Sequence, residues 1–505
     1  MAQGAHCAML GLPAPSFLLV RLHCCRCSRR QGPVASLSPH TDLKTQYNKK
    51  MRLNTVLSLV ETHRKGVATP PETIRRCYER IRALGDPGIF ITLRDEDEAV
   101  AEAQGVTNNG DFYGVPVVVK DNIDVAGMPT TAACPVFAYQ AGDDAEVVKR
   151  LKRAGAIIIG KTNLDQFATG LVGLRTPYPA PRNPLRRDLI PGGSSAGSAV
   201  AVATGIVPLA IGTDTAGSGR VPAMFNNIVG LKPSLGLIST RGVVPACRTL
   251  DCVSVFALSV DDAWTALRAM AGYDPNDPYS RERPLAMLGS APTRARLGVP
   301  LTSQRLFFGD GHAAADYEAA LSRLKHLGFR LTEVDMEPFT ETAQLLYQGP
   351  WLAERYLAAR KVLEENPNAL HPVTRAIIAP GANLKASDTF AAFYRLAQLR
   401  RAADDIFKRI DTLVLPTAPT VYTCEQVLAD PIRLNSRLGT YTNFVNLLDL
   451  CGASVPAALH EDGTPFGITF IVPGGQDALA ASLAKAFHAV CGVAPGAQAK
   501  LEPLV

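Results

Sequence analysis

A chain of 505 residues with 47% hydrophobic content can bury one large core or two ordinary ones. Its longest apolar run near the start, Phe17 to Leu22, is interrupted by Arg21 and is far too short to span a membrane. The net charge of +6 is local: residues 1–50 hold seven Lys/Arg against one acid, Asp42, and the remainder balances at 45 of each, so no basic folded face speaks for a nucleic-acid partner.

The first fifty residues are basic, nearly acid-free and rich in Ser and Cys. They read as an organelle transit segment, a disordered tail, or upstream sequence not normally translated, with Met51 as the start. The expected location is the cytoplasm, or an organelle if the segment is a transit peptide. Cys24, Cys25 and Cys27 have no second ligand pair at a usable spacing, so zinc is not expected. The seven later cysteines, Cys77 to Cys491, are scattered without a disulfide framework and read as small buried thiols in a reducing compartment.

Leu53, Val56, Leu57 and Val60, then Ile74, Tyr78, Ile81 and Leu84, fall at helical spacing, so residues 52–104 read as helices. From Gly114 the rhythm changes. Val115–Val119 reads as a strand, Ala145–Ala154 as a helix, Ala156–Ile159 and Val207–Ile211 as strands, and Asp261–Ala271 as a helix with Asp261 at its N-cap. Helices follow over Ala313–Leu327, Glu341–Glu364, Ser387–Ile410 and Ala478–Val490, with strands at Arg330–Val334, Thr412–Leu415 and Gly467–Ile471. Such alternation predicts an α/β sheet with helices on both faces. The Pro/Gly-rich stretches 274–300 and 416–432 read as surface loops, and residues 492–505 as a frayed C-terminal tail.

Two glycine-serine loops dominate the chemistry: Gly192-Gly193-Ser194-Ser195-Ala196-Gly197-Ser198 and Gly212-Thr213-Asp214-Thr215-Ala216-Gly217-Ser218-Gly219. Ser218 follows Ala216-Gly217, where a sharp turn can leave successive amides pointing outward, so Thr215, Ala216 and Gly217 are candidate backbone donors to an oxyanion. A serine hydroxyl needs a base. Six of the nine histidines (His6, His23, His40, His63, His312, His326) fall in the tail or on helices read as solvated, and none sits in a glycine turn. Lys120, ending a strand of valines, is the alternative: desolvation lowers its pKa, and a neutral amine accepts a proton. Ser194, on a turn whose glycines permit a non-proline cis bond, can relay that proton. Taken singly, a Gly-Gly-Ser-Ser run is most often a linker and a buried lysine usually snorkels to solvent. A phosphate-binding loop would need the Lys-Ser/Thr ending that is missing here.

With Gly114-Val-Pro-Val-Val-Val-Lys120-Asp-Asn, Pro191-Gly-Gly-Ser-Ser-Ala-Gly-Ser, Gly212 to Arg220 and Gly230-Leu-Lys-Pro-Ser234 in hand, the sequence resembles the amidase signature family, whose members use a Ser–cis-Ser–Lys triad. Carried over, Lys120 matches the base, Ser194 the cis-serine and Ser218 the nucleophile. The resemblance implies the amidase-signature fold, a large mixed twisted β-sheet covered on both faces by helices, over residues 51–491 with a catalytic core at about 114–260. Within the family the chain is similar to allophanate hydrolases, through Val125 to Pro135, Arg220 to Gly230, Ser239 to Cys252, and Leu346 to Tyr356. That likeness implies Tyr347, Arg355 and Gly170 as substrate-binding residues, and Arg suits bidentate recognition of a carboxylate. Tyr347 and Arg355, eight apart, share a face if their helix is continuous. The unaided alternative is that Arg355 pairs with Glu354 or Glu364 on a solvated surface.

The implied reaction is hydrolysis of a linear amide through an acyl-enzyme, allophanate giving ammonia and N-carboxycarbamate in urea degradation. A general amidase on neutral amides and a transamidase of the A type, working with partner chains, remain open. No metal or organic cofactor is implied. The implied partners are a small-molecule amide, a second copy of the chain in a homodimer, and a urea carboxylase as supplier of substrate. Many allophanate hydrolases carry a further C-terminal domain for the second step; its pattern is not in this sequence, so either that step is spontaneous, or another protein performs it, or the sequence is truncated.

Overall fold

The computed structural model describes residues 55–497 and Leu504. The expectations placed on residues 1–50, on Met51 as a start and on Leu53 lie outside the described residues.

In chain order the strands are β1 (Phe90–Leu93), β2 (Val115–Lys120), β3 (Pro129–Thr130), β4 (Tyr139–Gln140), β5 (Ala156–Thr162), β6 (Leu209–Thr213), β7 (Val229–Lys232), β8 (Val253–Ala257), β9 (Arg296–Pro300), β10 (Arg330–Val334), β11 (Thr412–Pro416), β12 (Leu450–Leu459) and β13 (Pro465–Pro473). Eleven of them form one mixed sheet in the order β1-β5-β2-β6-β8-β7-β12-β13-β11-β9-β10, and β3 and β4 make a separate ribbon. At its heart β2 lies parallel to both β5 and β6, and every residue of the three is buried. A strand covered on both faces needs no polar alternation, so Val117, Val118 and Val119 run unbroken. Each such side chain contributes roughly 1.5–3 kcal/mol by burial. The carboxyl ends of β2 and β6 deliver Lys120 and Thr213 to one place, the usual position of a ligand site in such sheets.

Helices pack on the sheet in two groups. Glu146–Arg153, Val260–Met270 and Asp477–Val490 lie together, while Ala196–Ala203 and Val221–Phe225 form the other group. Ala196–Ala203 is composed of Ala, Gly, Ser and Val and is buried all round, which lets it approach the strands closely. Pro70–Leu84 starts on a capping box between Thr69 and Glu72 and stops on Gly85 at φ 59.

Five strands of the main sheet escape the sequence reading, β1, β7, β8, β9 and β12, as does the short β3–β4 ribbon. β12 is rich in Gly, Ala and Ser and carries Pro456, all weak strand signals, yet it is clamped between β7 and β13. β9 falls inside the 274–300 stretch read as a surface loop, but Leu297 and Val299 are buried between β10 and β11. Residues 416–432 are not simply surface either: Thr417 and Ala418 are fully buried and Cys424–Ala429 is a helix. The expected helix over 341–364 is two helices, Glu337–Gln348 and Trp351–Glu365, parted at Gly349-Pro350. Pro350 lacks an N–H and disfavours helical backbone before it. Ser259, not Asp261, caps Val260–Met270, accepting from Asp262 N–H at 3.1 Å. Nor is the start of the tail frayed, since Gly496 and Ala497 donate N–H to the carbonyls of Asn227 and Ala203. His63, read as solvated, is buried between Thr73 Oγ1 and the Tyr113 carbonyl; His6, His23 and His40 lie outside the described residues.

Candidate active site

Lys120 is fully buried, and its Nζ donates to Ser194 Oγ and Thr213 Oγ1, both at 2.8 Å. Burial drives this amine down from the usual 10.5 to about 7, against the pull of the Asp165, Asp251 and Asp214 carboxylates and with the Arg355 cation adding to the fall. A lysine at that value is a mixture of ammonium and free amine near neutral pH.

Ser194 follows a cis peptide bond at Gly193. Only glycine fits at 193, because a Cβ there would sit 2.1 Å from Asp165 Oδ2 and 2.6 Å from Gly173 N. Asp165 organises this side of the site: Oδ2 accepts from Val172 and Gly173 N–H, Oδ1 from Arg175 N–H, and its own N–H donates to the Ser194 carbonyl. Beside it, Phe167 and Ala168 are both held at φ 50, a left-handed conformation that side chains with a Cβ adopt at a cost.

Ser218 is 3% exposed, and its Oγ–H donates to the Gly170 carbonyl at 3.5 Å. Among the described residues no hydrogen bond joins Ser218 to Ser194, so the structure brings Lys120 and Ser194 into contact and leaves the link to Ser218 open. Such bonds commonly tighten only when substrate arrives. The loop around Ser218 is shaped by a fully buried pair, Asp214 and Arg220. Arg220 donates through Nε (2.8 Å) and Nη2 (2.9 Å) to Asp214, whose oxygens also accept from Gly217 N–H (2.7 Å) and Gly219 N–H (3.1 Å). Burial alone would raise the Asp214 carboxyl, but the Arg220 guanidinium outweighs it and holds it below the usual range.

That arrangement corrects one expectation. Gly217 N–H is committed to Asp214 and is not free as an oxyanion donor, whereas the amides of Thr215, Ala216 and Ser218 have no acceptor among the described residues. The Thr215 side chain is held by Asp251 (2.5 Å), and the Ala216 carbonyl accepts from Thr442 Oγ1 (2.7 Å).

Arg355 is 1% exposed, which removes the solvated-surface alternative. Its Nη1 donates to Thr169 Oγ1 (3.1 Å), its Nη2 to the Tyr347 hydroxyl (3.4 Å), its carbon lies 5.1 Å from the Tyr347 ring centre, and its Nε has no partner among the described residues. Tyr347 and Arg355 therefore meet, but across the break at Gly349-Pro350 rather than along one helix. Glu364 is bonded to Tyr356 and Arg360, and Glu354 to Thr249, so neither makes a contact ion pair with Arg355, although the Asp251 and Glu354 carboxylates favour its charge from farther away. A guanidinium stays charged in proteins. Arg355 is thus a buried cation without an ion-pair partner among the described residues. Thr169, which holds it, is followed directly by Gly170, which faces Ser218.

The sequence reading missed Thr213, Asp165, Asp251 and the Asp214–Arg220 pair. Asp214 and Arg220 lie within the quoted loop, where acid and base flanking a glycine turn were the available signal. Asp165 carried none.

A serine held beside unpaired amides, a second serine, and a buried near-neutral lysine form a site for acyl transfer. A family model described as Amidase matches residues 72–480, and the chain belongs to that family and shares its α/β fold. Urea amidolyase of Saccharomyces cerevisiae is 47% identical over 363 residues, 71% of this chain and 20% of that protein. A glutamyl-tRNA(Gln) amidotransferase chain of Symbiobacterium thermophilum is 36% identical over 444 residues, 80% of this chain and 89% of that one. The solved structure of Kluyveromyces lactis allophanate hydrolase matches with a TM-score of 0.82 at 42% identity, over 86% of this chain and 72% of that one. The chain spans 20% of the length of the urea amidolyases it matches.

Proposed function

We propose that this chain hydrolyses a short linear amide that also bears a carboxylate, with allophanate as the substrate. The observation that carries this is Arg355: a buried cation without an ion-pair partner is costly unless an anion completes it. Thr169 touches that cation and Gly170 touches the nucleophile, and consecutive Cα atoms are about 3.8 Å apart. A short substrate with its carboxylate at Arg355 and its scissile carbonyl at Ser218 fits that arrangement. Allophanate, with one nitrogen between them, meets that condition. The names of the urea amidolyase and allophanate hydrolase relatives agree with it. A general amidase on neutral amides would leave Arg355 without a purpose.

In this reading Ser218 Oγ attacks the terminal carbamoyl carbon. Its proton passes to Ser194 Oγ while the Ser194 proton passes to neutral Lys120 Nζ. The oxyanion forms against the amides of Thr215 and Ala216, joined by that of Ser218 itself. Collapse breaks the C–N bond, and ammonia leaves with a proton returned from Lys120 through Ser194. Water then attacks the acyl-enzyme by the same relay, releasing N-carboxycarbamate, which breaks down to carbon dioxide and ammonia. A urea carboxylase would supply the substrate. Two copies would pair through the exposed face of Ala386–Phe407, where Phe390, Phe393 and Tyr394 are uncovered.

The test is ammonia release from allophanate, malonamate, biuret and a neutral amide. The expected order places the two carboxylates well ahead, with Ser218→Ala inactive on all four. Equal turnover of the neutral amide would end the carboxylate reading, and an active Ser218→Ala would end the mechanism.

A further inference from the structure

Residues 245–251 carry no reacting group, yet they run between the two halves of the site. At one end Asp251 accepts from Thr215 Oγ1–H (2.5 Å), Ala246 N–H (2.8 Å) and Cys247 N–H (3.2 Å), which ties it to the loop bearing Ser218. At the other end Cys247 Sγ–H donates to the Trp351 carbonyl (3.6 Å). Thr249 grips Glu354 with both its donors, N–H to Oε1 at 2.7 Å and Oγ1–H to Oε2 at 2.8 Å. Glu354 stands in the first turn of Trp351–Glu365, immediately before Arg355. One short strip, Cys247–Asp251, is thus bonded to the nucleophile loop and to the turn that presents the cation.

That second attachment matters because of the helix break. A continuous helix would hold Arg355 in register with Glu337–Gln348 through its own backbone ladder. At Gly349-Pro350 the regular ladder is interrupted, so the position of the Trp351–Arg355 turn rests on two local backbone bonds, on the packing of Trp351 and on side-chain ties. Glu354 suits such a tie: a carboxylate in the first turn of a helix is favoured by the helix dipole, and bonds to a charged acceptor are the stronger kind.

We propose that Cys247–Asp251 is a length gauge. The Thr249–Glu354 clamp sets the spacing between Arg355 and Ser218, and so selects amic acids by the number of atoms between carboxylate and scissile carbonyl. Thr249 and Glu354 are positioning residues that touch no reacting atom. The inference rests on the carboxylate-directed reading of the site, and it adds that the spacing is imposed from the surface strip rather than by the pocket wall alone.

Thr249 is exposed, so its substitution leaves the core intact. The experiment measures kcat and KM for malonamate, with one bridging atom, and succinamate, with two, in the wild type, Thr249→Val, Glu354→Gln and Thr249→Ser. The wild type should favour malonamate. Thr249→Val and Glu354→Gln should raise KM for malonamate and narrow the malonamate-to-succinamate ratio of kcat/KM by about tenfold, the scale of one methylene in a fitted pocket. Thr249→Ser, which keeps both donors, should restore the ratio. A wild type that turns over propionamide as well as malonamate overturns the carboxylate reading and the gauge with it. A selective wild type whose folded Thr249→Val and Glu354→Gln keep the ratio within twofold overturns the gauge alone.

Discussion

Replacing Lys120 by Met tests the proton-relay argument through stability as well as rate. In the unfolded chain this amine titrates at the ordinary 10.5, and in the folded protein at about 7. A depressed folded pKa costs stability as pH falls from 10.5 towards 7, because the unfolded chain takes up a proton that the folded one refuses. At about 1.4 kcal/mol per unit, the cost is about 5 kcal/mol at pH 6 and about 2 kcal/mol at pH 9. Lys120→Met removes that cost and also the bonds to Ser194 and Thr213, worth about 1 kcal/mol each at any pH. The variant should therefore be more stable than the wild type at pH 6, and its advantage should shrink by about 3 kcal/mol by pH 9. Urea unfolding of both proteins at the two pH values measures this. In parallel, wild-type kcat/KM should rise with pH through a midpoint near 7, the pH at which the base becomes neutral. An advantage for Lys120→Met that does not change between pH 6 and pH 9 would refute a desolvated amine, and with it the relay.

Arg355→Ala should lower kcat/KM for malonamate by about 10²–10³ more than for a neutral amide, the scale expected when a buried charge partner is lost; initial rates on the two substrates decide it. Gly193→Ala forces a Cβ to within 2.1 Å of the Asp165 carboxylate. It should cost about 3 kcal/mol in denaturant unfolding and lower kcat through displacement of Ser194. Arg220→Met strands the Asp214 charge in the core and should cost about 3–5 kcal/mol, and the further change Asp214→Asn should recover much of that loss; a double-mutant cycle by thermal unfolding reads both.

The catalytic candidates were legible because their local sequence states their conformation. Gly192-Gly193 and Ala216-Gly217 announce backbone that only glycine tolerates, and a lysine closing a run of valines announces burial whatever the fold around it. The rhythm from Val115 to Ile211 likewise revealed the central strands of the sheet, because strands covered on both faces are continuously apolar; that they run parallel came from the structure. β12 and β9 were hidden for the opposite reason: Gly, Ala, Ser and Pro carry little strand preference, and only neighbouring strands hold them extended.

What the sequence by itself determined was which groups could react: two serines on glycine turns and one desolvated amine, set by residue type and local backbone. The tertiary structure decided which amides stay free, since Asp214 claims Gly217 and leaves Thr215 and Ala216 open. It also decided that Arg355 meets Tyr347 across a broken helix and makes no contact ion pair among the described residues. Both depend on charges brought together from distant stretches of chain, and a buried charge takes its meaning from its neighbours in space.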